Sequence, residues 1–162
     1  MAAPSTSSPA TAPRWLDDRE MLAWRTYIEV TARLNLALEQ DLAPTGLTQG
    51  DYQVLVVLSE APEHRMRMCD LANLLQLSPS GLTRRLDGLV RDGLVGRAAS
   101  ETDRRVMLAV LTPAGHETLA TAAPDHVESV RSRLFDQLSD TQVDQLAAIF
   151  TAIGLGLDSE QP

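Results

Sequence analysis

Residues 77–115 read LSPSGLTRRLDGLVRDGLVGRAASETDRRVMLAVLTPAG, and the order of signals in this stretch decides the fold. Ser78 followed by Pro79 starts a helix, because a serine hydroxyl can take an orphan backbone N–H and proline's fixed φ suits the first helical position. Leu82, Leu86, Leu89 and Val90 then recur at helical spacing on one stripe. Ser80, Arg84, Asp87 and Arg91 face the other way, with Thr83 at the margin. Gly93 can supply a left-handed closing residue, so the helix is predicted to stop near Asp92. Residues 94–97 and 106–111 read as two strands of a hairpin, and the loop at 98–105 holds Asp103, Arg104 and Arg105. Upstream, Asp70, Leu71, Ala72, Leu74 and Leu75 make a short amphipathic helix parted from the next by Gln76 and Leu77, a joint tight enough for a helix-turn-helix.

A helix with one packed face and one cationic face, beside a hairpin tipped with arginines, suits a polyanion with two grooves. At the hairpin tip a guanidinium gains from the concentrated negative potential of a minor groove. Taken in order, DLA at 70–72, LTRRLDGLVRDGLVGR at 82–97, DRR at 103–105 and LTPAG at 111–115 resemble the MarR family of winged-helix transcriptional regulators. With the spacing of the flanking helices, the resemblance reaches most of residues 15–158. It implies a mainly α fold with a small β wing, a winged helix-turn-helix whose N- and C-terminal helices form a dimerisation domain. It further implies a homodimer on a pseudo-palindromic operator in double-stranded DNA, recognition helices in successive major grooves and wings along the flanking minor grooves, most often acting as a repressor. On the family's pattern Thr83 and Arg84 touch DNA and Arg105 is the wing-tip arginine. Asp103 braces it, and Arg97, ending the first wing strand, joins that bracing. Ser78, Ser80, Arg91 and Arg104 share the same face and tip, so they complete the expected contact set. Arg85 lies at the edge of the packed stripe, open to phosphate or to an acid of its own chain. The family's small phenolic or aromatic acid ligands bind between the dimerisation helices and the reading module. That brings Trp24, Arg25 and Tyr27 forward as a candidate pocket, although rings at this spacing also read as core.

Working outward, residues 1–13 are rich in Ala, Pro, Ser and Thr and read as a disordered tail. Asp17 with Glu20 forms a capping-box-like start to a long first helix striped by Trp24, Tyr27, Ile28, Thr31, Leu34 and Leu38. Pro44 and Gly46 end it. Thr48 with Asp51 caps a second helix carrying Tyr52, Leu55 and Leu58, which Ala61 and Pro62 break. Thr112 and Pro113 open a fifth helix by the chemistry of Ser78 and Pro79, and Pro124 inside it predicts a kink or break near Ala123. Ser139 with Gln142 caps a sixth, where Val143, Leu146, Ile149, Phe150 and Ile153 are spaced to pack. The expected organisation is dimerisation helices at 14–46 and 113–158 around a winged helix-turn-helix DNA-binding region at 47–112. Such long terminal helices would expose apolar surface alone and are expected to pair between two subunits.

Composition sets limits. A chain of 162 residues with 44% hydrophobic residues suits one compact domain. It holds no apolar run of membrane-spanning length and its start lacks a secretory pattern, so a soluble, cytoplasmic protein with no membrane partner is the expectation. Cys69, the one cysteine, cannot form an internal disulfide. It falls in the first turn of a helix, which favours thiolate, yet without a resolving partner it reads as a small buried residue rather than a sensor. His64, His116 and His126, even with Glu63 or Glu117, match no closed tetrahedral set, so no metal and no cofactor are expected. No phosphate loop, nucleophile motif or carboxylate pair suggests an enzyme, and no catalytic residue is assigned. The net charge of −8 has the wrong sign for approaching a polyanion. Its distribution softens the objection: residues 61–112 hold eight arginines against six acids, a net of +2, and the rest six against sixteen, a net of −10. All 14 basic residues are arginine. Such a chain should bind through a few placed guanidinium groups and weaken quickly as salt rises. The alternative is a helical dimeric adaptor that binds protein through the winged module.

Overall fold

The computed structural model describes residues 13–159, so all but the last residue of the expected tail lies outside the described residues. Six helices and three strands follow in order: α1 (Asp18–Leu42), α2 (Gln49–Glu60), β1 (Arg65–Arg67), α3 (Met68–Leu74), α4 (Pro79–Arg91), β2 (Val95–Ala99), β3 (Met107–Leu111), α5 (Pro113–Arg133) and α6 (Asp140–Ser159). Single 3-10 turns at Ala43–Thr45, Pro62–His64 and Phe135–Gln137 join some of them.

Most starts are local chemistry. Asp17 and Glu20 exchange side-chain and backbone bonds at 2.8 and 2.9 Å. Thr48 and Asp51 form a full capping box on α2, and Ser139 with Gln142 does the same for α6. Each satisfies N–H groups that a helix start leaves without partners. The joint between α3 and α4 turns on Gln76, held at φ +53°, while Leu77 N–H donates to the Ala72 carbonyl at 2.8 Å.

Internal packing divides the chain after Leu34. The first unit, the N-terminal part of α1, leaves its apolar stripe uncovered: Leu22, Trp24, Tyr27, Ile28 and Val30 are all exposed. The reading of the Trp24 and Tyr27 rings as core is therefore corrected. Helical periodicity marks an apolar face but not what covers it.

The second unit is built on Leu42, Val54, Leu55, Leu58, Leu71, Leu82, Leu86 and Val95, all fully buried. Burying each such side chain contributes about 1.5–3 kcal/mol. Its sheet has three antiparallel strands in the order β1-β3-β2, with Met66 opposite Ala109 and Arg97 opposite Ala109 from the other side. The hairpin was legible; β1 was not. Three residues are too few to show a period, and two left-handed residues, Glu63 and His64 (φ +52° and +54°), turn the chain into place. α3 begins at Met68, in line with Cys69 in its first turn, and Arg67 at the cap position makes no side-chain cap bond; Leu74 is exposed rather than packed.

Helix α5 starts at Thr112, whose hydroxyl accepts from Gly115 N–H at 3.0 Å and donates to the Gly93 carbonyl at 2.7 Å. It then runs unbroken through Pro124, so the expected break is absent. Pro124 and Ala120 both face solvent, and water can satisfy the carbonyl that proline leaves without a donor. No residue of α6 with a described side chain is buried in the single chain; Ile149, Phe150 and Ile153 are each about half exposed or more.

Candidate nucleic-acid interface

Helix α4 turns Leu82, Leu86 and Leu89 inward and leaves Ser80, Thr83, Arg84, Asp87 and Arg91 exposed. Ser78 is committed to the helix start, its hydroxyl accepting from Gly81 N–H at 3.1 Å and sitting 3.2 Å from that of Ser80. Thr83 donates its hydroxyl hydrogen to the Pro79 carbonyl at 2.9 Å, which leaves its lone pairs and methyl outward. Arg84 is exposed and meets no carboxylate among the described residues. Arg91 bonds its neighbour Asp92 at 3.3 Å, an exposed pair that solvent screens.

Arg85 meets no carboxylate of its own chain among the described residues. Its guanidinium lies on Gly50 of α2, where an added Cβ would stand 1.3 Å from Nη1. It lines the wall of an open cleft of about 970 Å³ together with Arg84, Glu39 and Gln49. Glu39 is occupied there, accepting from Gln49 N–H at 2.7 Å.

The wing closes through Ser100 N–H to the Val106 carbonyl at 2.8 Å. At its tip the Asp103 carboxylate accepts from Arg105 N–H at 3.0 Å and the Asp103 carbonyl from Val106 N–H at 2.9 Å. Asp103 thus fastens the turn through backbone, and the Arg104 and Arg105 side chains project exposed, with no carboxylate partner among the described residues. Arg97 does not join this device. Its Nη2 donates to Asp87 Oδ1 at 2.8 Å and to the Thr83 carbonyl at 3.2 Å, tying β2 to the recognition helix. The single bracing network expected from sequence is two separate fastenings, because the register of β2 brings Arg97 against α4 and not against the tip. A third tie, from Arg65 on β1 to Glu63 and to Glu101 at 3.6 Å, holds the root of the wing loop.

Elsewhere, Trp24 and Tyr27 stack with ring centroids 5.9 Å apart and an interplanar angle of 26°, with Arg25 exposed beside them. Cys69 is exposed, against the expectation of a buried residue. Its thiol points at Asp70, 3.5 Å away. The His64 and His116 rings stand 5.9 Å apart.

One polar cluster escaped the sequence reading. Asp41, near the end of α1, receives Arg133 Nε and Nη2 at 2.6 and 2.8 Å and the Ser129 hydroxyl, both from α5. Those bonds, that from Arg133 foremost, hold its carboxyl down to about 2. His126, whose ring centroid lies 4.3 Å from that of Tyr52, has its Nδ1 buried without a partner. Burial pushes the His126 imidazole below its ordinary value, the nearby Asp41 charge opposing, and burial pushes the Tyr52 phenol up. The α5 residues sit 85 or more positions from Asp41 in the chain, so no spacing announces them. Among the described residues, no helix is long and apolar enough to cross a membrane.

Comparison with known proteins places this architecture. A family model described as MarR family matches residues 47–107. The crystal structure of AbsC, a MarR family transcriptional regulator from Streptomyces coelicolor, matches with a TM-score of 0.87 and 42% identity, covering 91% of this chain and 100% of that one. A second MarR family transcriptional regulator of that organism, crystallised in complex with DNA, also gives 0.87, at 37% identity with 93% of each chain covered. The HTH-type transcriptional repressor YetL of Bacillus subtilis (strain 168) is 27% identical over 146 residues, 88% of this chain and 87% of its own. Related along nearly their whole length to such regulators, these 162 residues belong to the MarR family of transcriptional regulators.

Proposed function

We propose that the protein is a cytoplasmic, homodimeric repressor that binds a pseudo-palindromic operator. The observation that carries this reading is where the chain leaves guanidinium charge uncancelled. Arg84 on the outer face of α4 and Arg104 and Arg105 at the wing tip are exposed and unpaired among the described residues, as is Arg67 on β1, while Arg65 and Arg97 of the same module are engaged and Arg91 holds only an exposed pair with Asp92. A 37% identical relative has been crystallised in complex with DNA, which supports DNA as the partner. Thr83 and Arg84 read base edges in the major groove, Ser80 and Arg91 flank them on phosphate, and Arg105 with Arg104 enters the minor groove. Half-sites lie about 34–36 Å apart, one helical turn.

Dimerisation follows from apolar surface that a lone chain would leave wet: Ile149, Phe150, Ile153, Leu155 and Leu157 along α6, and the uncovered stripe of α1. The named repressor among the relatives supports the sign of regulation. A small aromatic acid is the effector we assign to the Trp24–Arg25–Tyr27 face, where stacked rings and a cation suit a planar anion. It would act by favouring a dimer geometry whose recognition helices miss the operator spacing.

The test starts from a randomised pool of 30-base-pair duplexes, from which the purified protein selects its preferred sequence. Fluorescence anisotropy then compares wild type with the Arg84→Ala/Arg105→Ala variant. Removing two side chains that each contribute about 1–3 kcal/mol predicts at least a roughly 30-fold loss, with dimer mass unchanged. Absence of any enriched sequence, or full affinity in the double variant, would overturn the reading and favour protein binding instead.

A further inference from the structure

We propose that Asp87 and Arg97 form a clasp that sets the angle of the wing against the recognition helix, so that an acidic side chain on the DNA-facing helix strengthens DNA binding instead of opposing it. The inference rests on the reading that α4 and the wing tip meet DNA.

Thr83 and Asp87 are one helical turn apart, and a single guanidinium nitrogen of Arg97 bridges them, at 3.2 Å to the Thr83 carbonyl and 2.8 Å to the Asp87 carboxylate. The clasp therefore grips the turn of α4 that carries Thr83 and Arg84. On the wing side, Arg97 lies in the middle of β2, opposite the fully buried Ala109 of β3, so its backbone is anchored in the sheet. No other side chain of β2 or β3 forms a hydrogen bond or ion pair with α4 among the described residues.

The wing is a lever on that fulcrum. Three residues, Ala98 to Ser100, carry the ladder from Arg97 to the wing loop, roughly 10 Å at about 3.3 Å per residue, and the tip arginines lie beyond it. A tilt of about 10° at the base would move the root of the loop about 2 Å and the tip further, beyond what a hydrogen bond tolerates. Asp103 cannot substitute, since it fastens the tip only to itself. The pair is also too exposed, at 31% and 58% for the two side chains, to matter much for stability, which leaves geometry as its use.

The sign of one substitution separates this from the simpler alternative. If Asp87 were merely a negative charge near phosphates, removing it would tighten binding; if it holds the clasp, removal weakens binding. The full-length protein and the duplex it selects are used in anisotropy titrations over a salt series. Asp87→Ala and Arg97→Ala should each lose about tenfold in affinity, and the double variant should be no worse than the weaker single, as expected for one shared interaction. The slope of affinity against salt should fall by about one to two, because the wing-tip guanidinium groups no longer displace counterions from the duplex. Arg105→Ala should cost little in the Asp87→Ala background, because the tip is already misplaced. Thermal melts check the fold, with Asp87→Asn replacing the alanine if α4 is weakened.

Unchanged or tighter binding by Asp87→Ala, or strict additivity with Arg97→Ala, overturns the clasp; weakening by Arg97→Ala alone would then make Arg97 a phosphate contact. Arg84→Ala runs beside them. If it weakens binding while Asp87→Ala does not, the clasp alone fails. If neither matters, the DNA reading beneath it fails.

Discussion

Gly115 is the glycine of the LTPAG motif, and its replacement by alanine should be among the costliest methyl additions in the chain. An added Cβ would stand 2.1 Å from the Leu94 carbonyl oxygen, 2.8 Å from Leu111 Cδ1 and 3.0 Å from the Leu94 carbonyl carbon. Two of these atoms are backbone, and the oxygen is held in place: it accepts from Thr112 N–H at 3.1 Å and lies 3.0 Å from the Thr112 hydroxyl. Relief requires moving the turn between α4 and β2 away from α5, which breaks the bonds from Thr112 to the Gly93 and Leu94 carbonyls. Overpacking costs about 1–3 kcal/mol, and the loss of hydrogen bonding about 1 kcal/mol more. A total of about 2–4 kcal/mol is a large part of an ordinary folding free energy of about 5–15 kcal/mol. At about 2–4 °C per kcal/mol, the melting temperature should fall by roughly 4–16 °C. The assay is urea unfolding followed by circular dichroism at one fixed protein concentration, since the stability of the proposed dimer would depend on it. Gly88→Ala is the control: its Cβ would meet only Arg91 Nη2, at 3.8 Å, and helix propensity alone should make it neutral or stabilising by up to about 1 kcal/mol. A Gly115→Ala protein within about 0.5 kcal/mol of wild type would refute the reasoning, for it would mean that the carbonyl contact yields freely.

Gly50→Ala makes a useful contrast, because the obstacle there is the mobile end of Arg85 rather than backbone. The same melt should place it within about 1 kcal/mol of wild type, the displaced guanidinium offset by the helix preference of alanine. Stability should also depend on pH in two separate windows. His126 has its imidazole held down by burial, so as pH falls through about 6.5 the unfolded chain takes up the proton first and stability drops. Melting curves between pH 7.5 and 5.5 should show that drop in the wild type and not in His126→Phe. Asp41 is held down to about 2, so its contribution stands above about pH 4 and is lost between there and pH 2, a window that Asp41→Asn should flatten.

What could be read from the chain beforehand is what local chemistry determines. Ser78 and Pro79, Thr112 and Pro113, Thr48 and Asp51, and Ser139 and Gln142 each start a helix where their hydroxyls and rings say it should start. The stripe of Leu82, Leu86 and Leu89 fixes which face of α4 packs, and hence which arginines stand outward. What could not be read depends on partners remote in sequence. β1 exists because β3 offers it an edge, not because Arg65, Met66 and Arg67 carry a strand pattern. Pro124 fails to break α5 because the orphaned carbonyl meets solvent, an outcome of packing rather than of the residue. The family resemblance pointed Arg97 toward the bracing around Asp103, and the register of β2 gave it Asp87 instead.

The acidity of the chain bears on how these pieces must work together. A net charge of −8 gives no long-range pull toward DNA, so affinity has to come from contacts made at hydrogen-bond distance. Contacts of that kind are unforgiving of angle, and in the proposed interface they lie on two elements, the outer face of α4 and the tip of the hairpin. A strongly basic protein could tolerate a loose wing, because charge alone would hold it near the duplex. In this one, a few guanidinium groups succeed only if helix and hairpin are presented together, and the one polar tie from hairpin to helix among the described residues runs through Arg97. An acid retained on the helix proposed to face a polyanion is then what the electrostatics call for, provided its charge is directed at Arg97 and not at the phosphates.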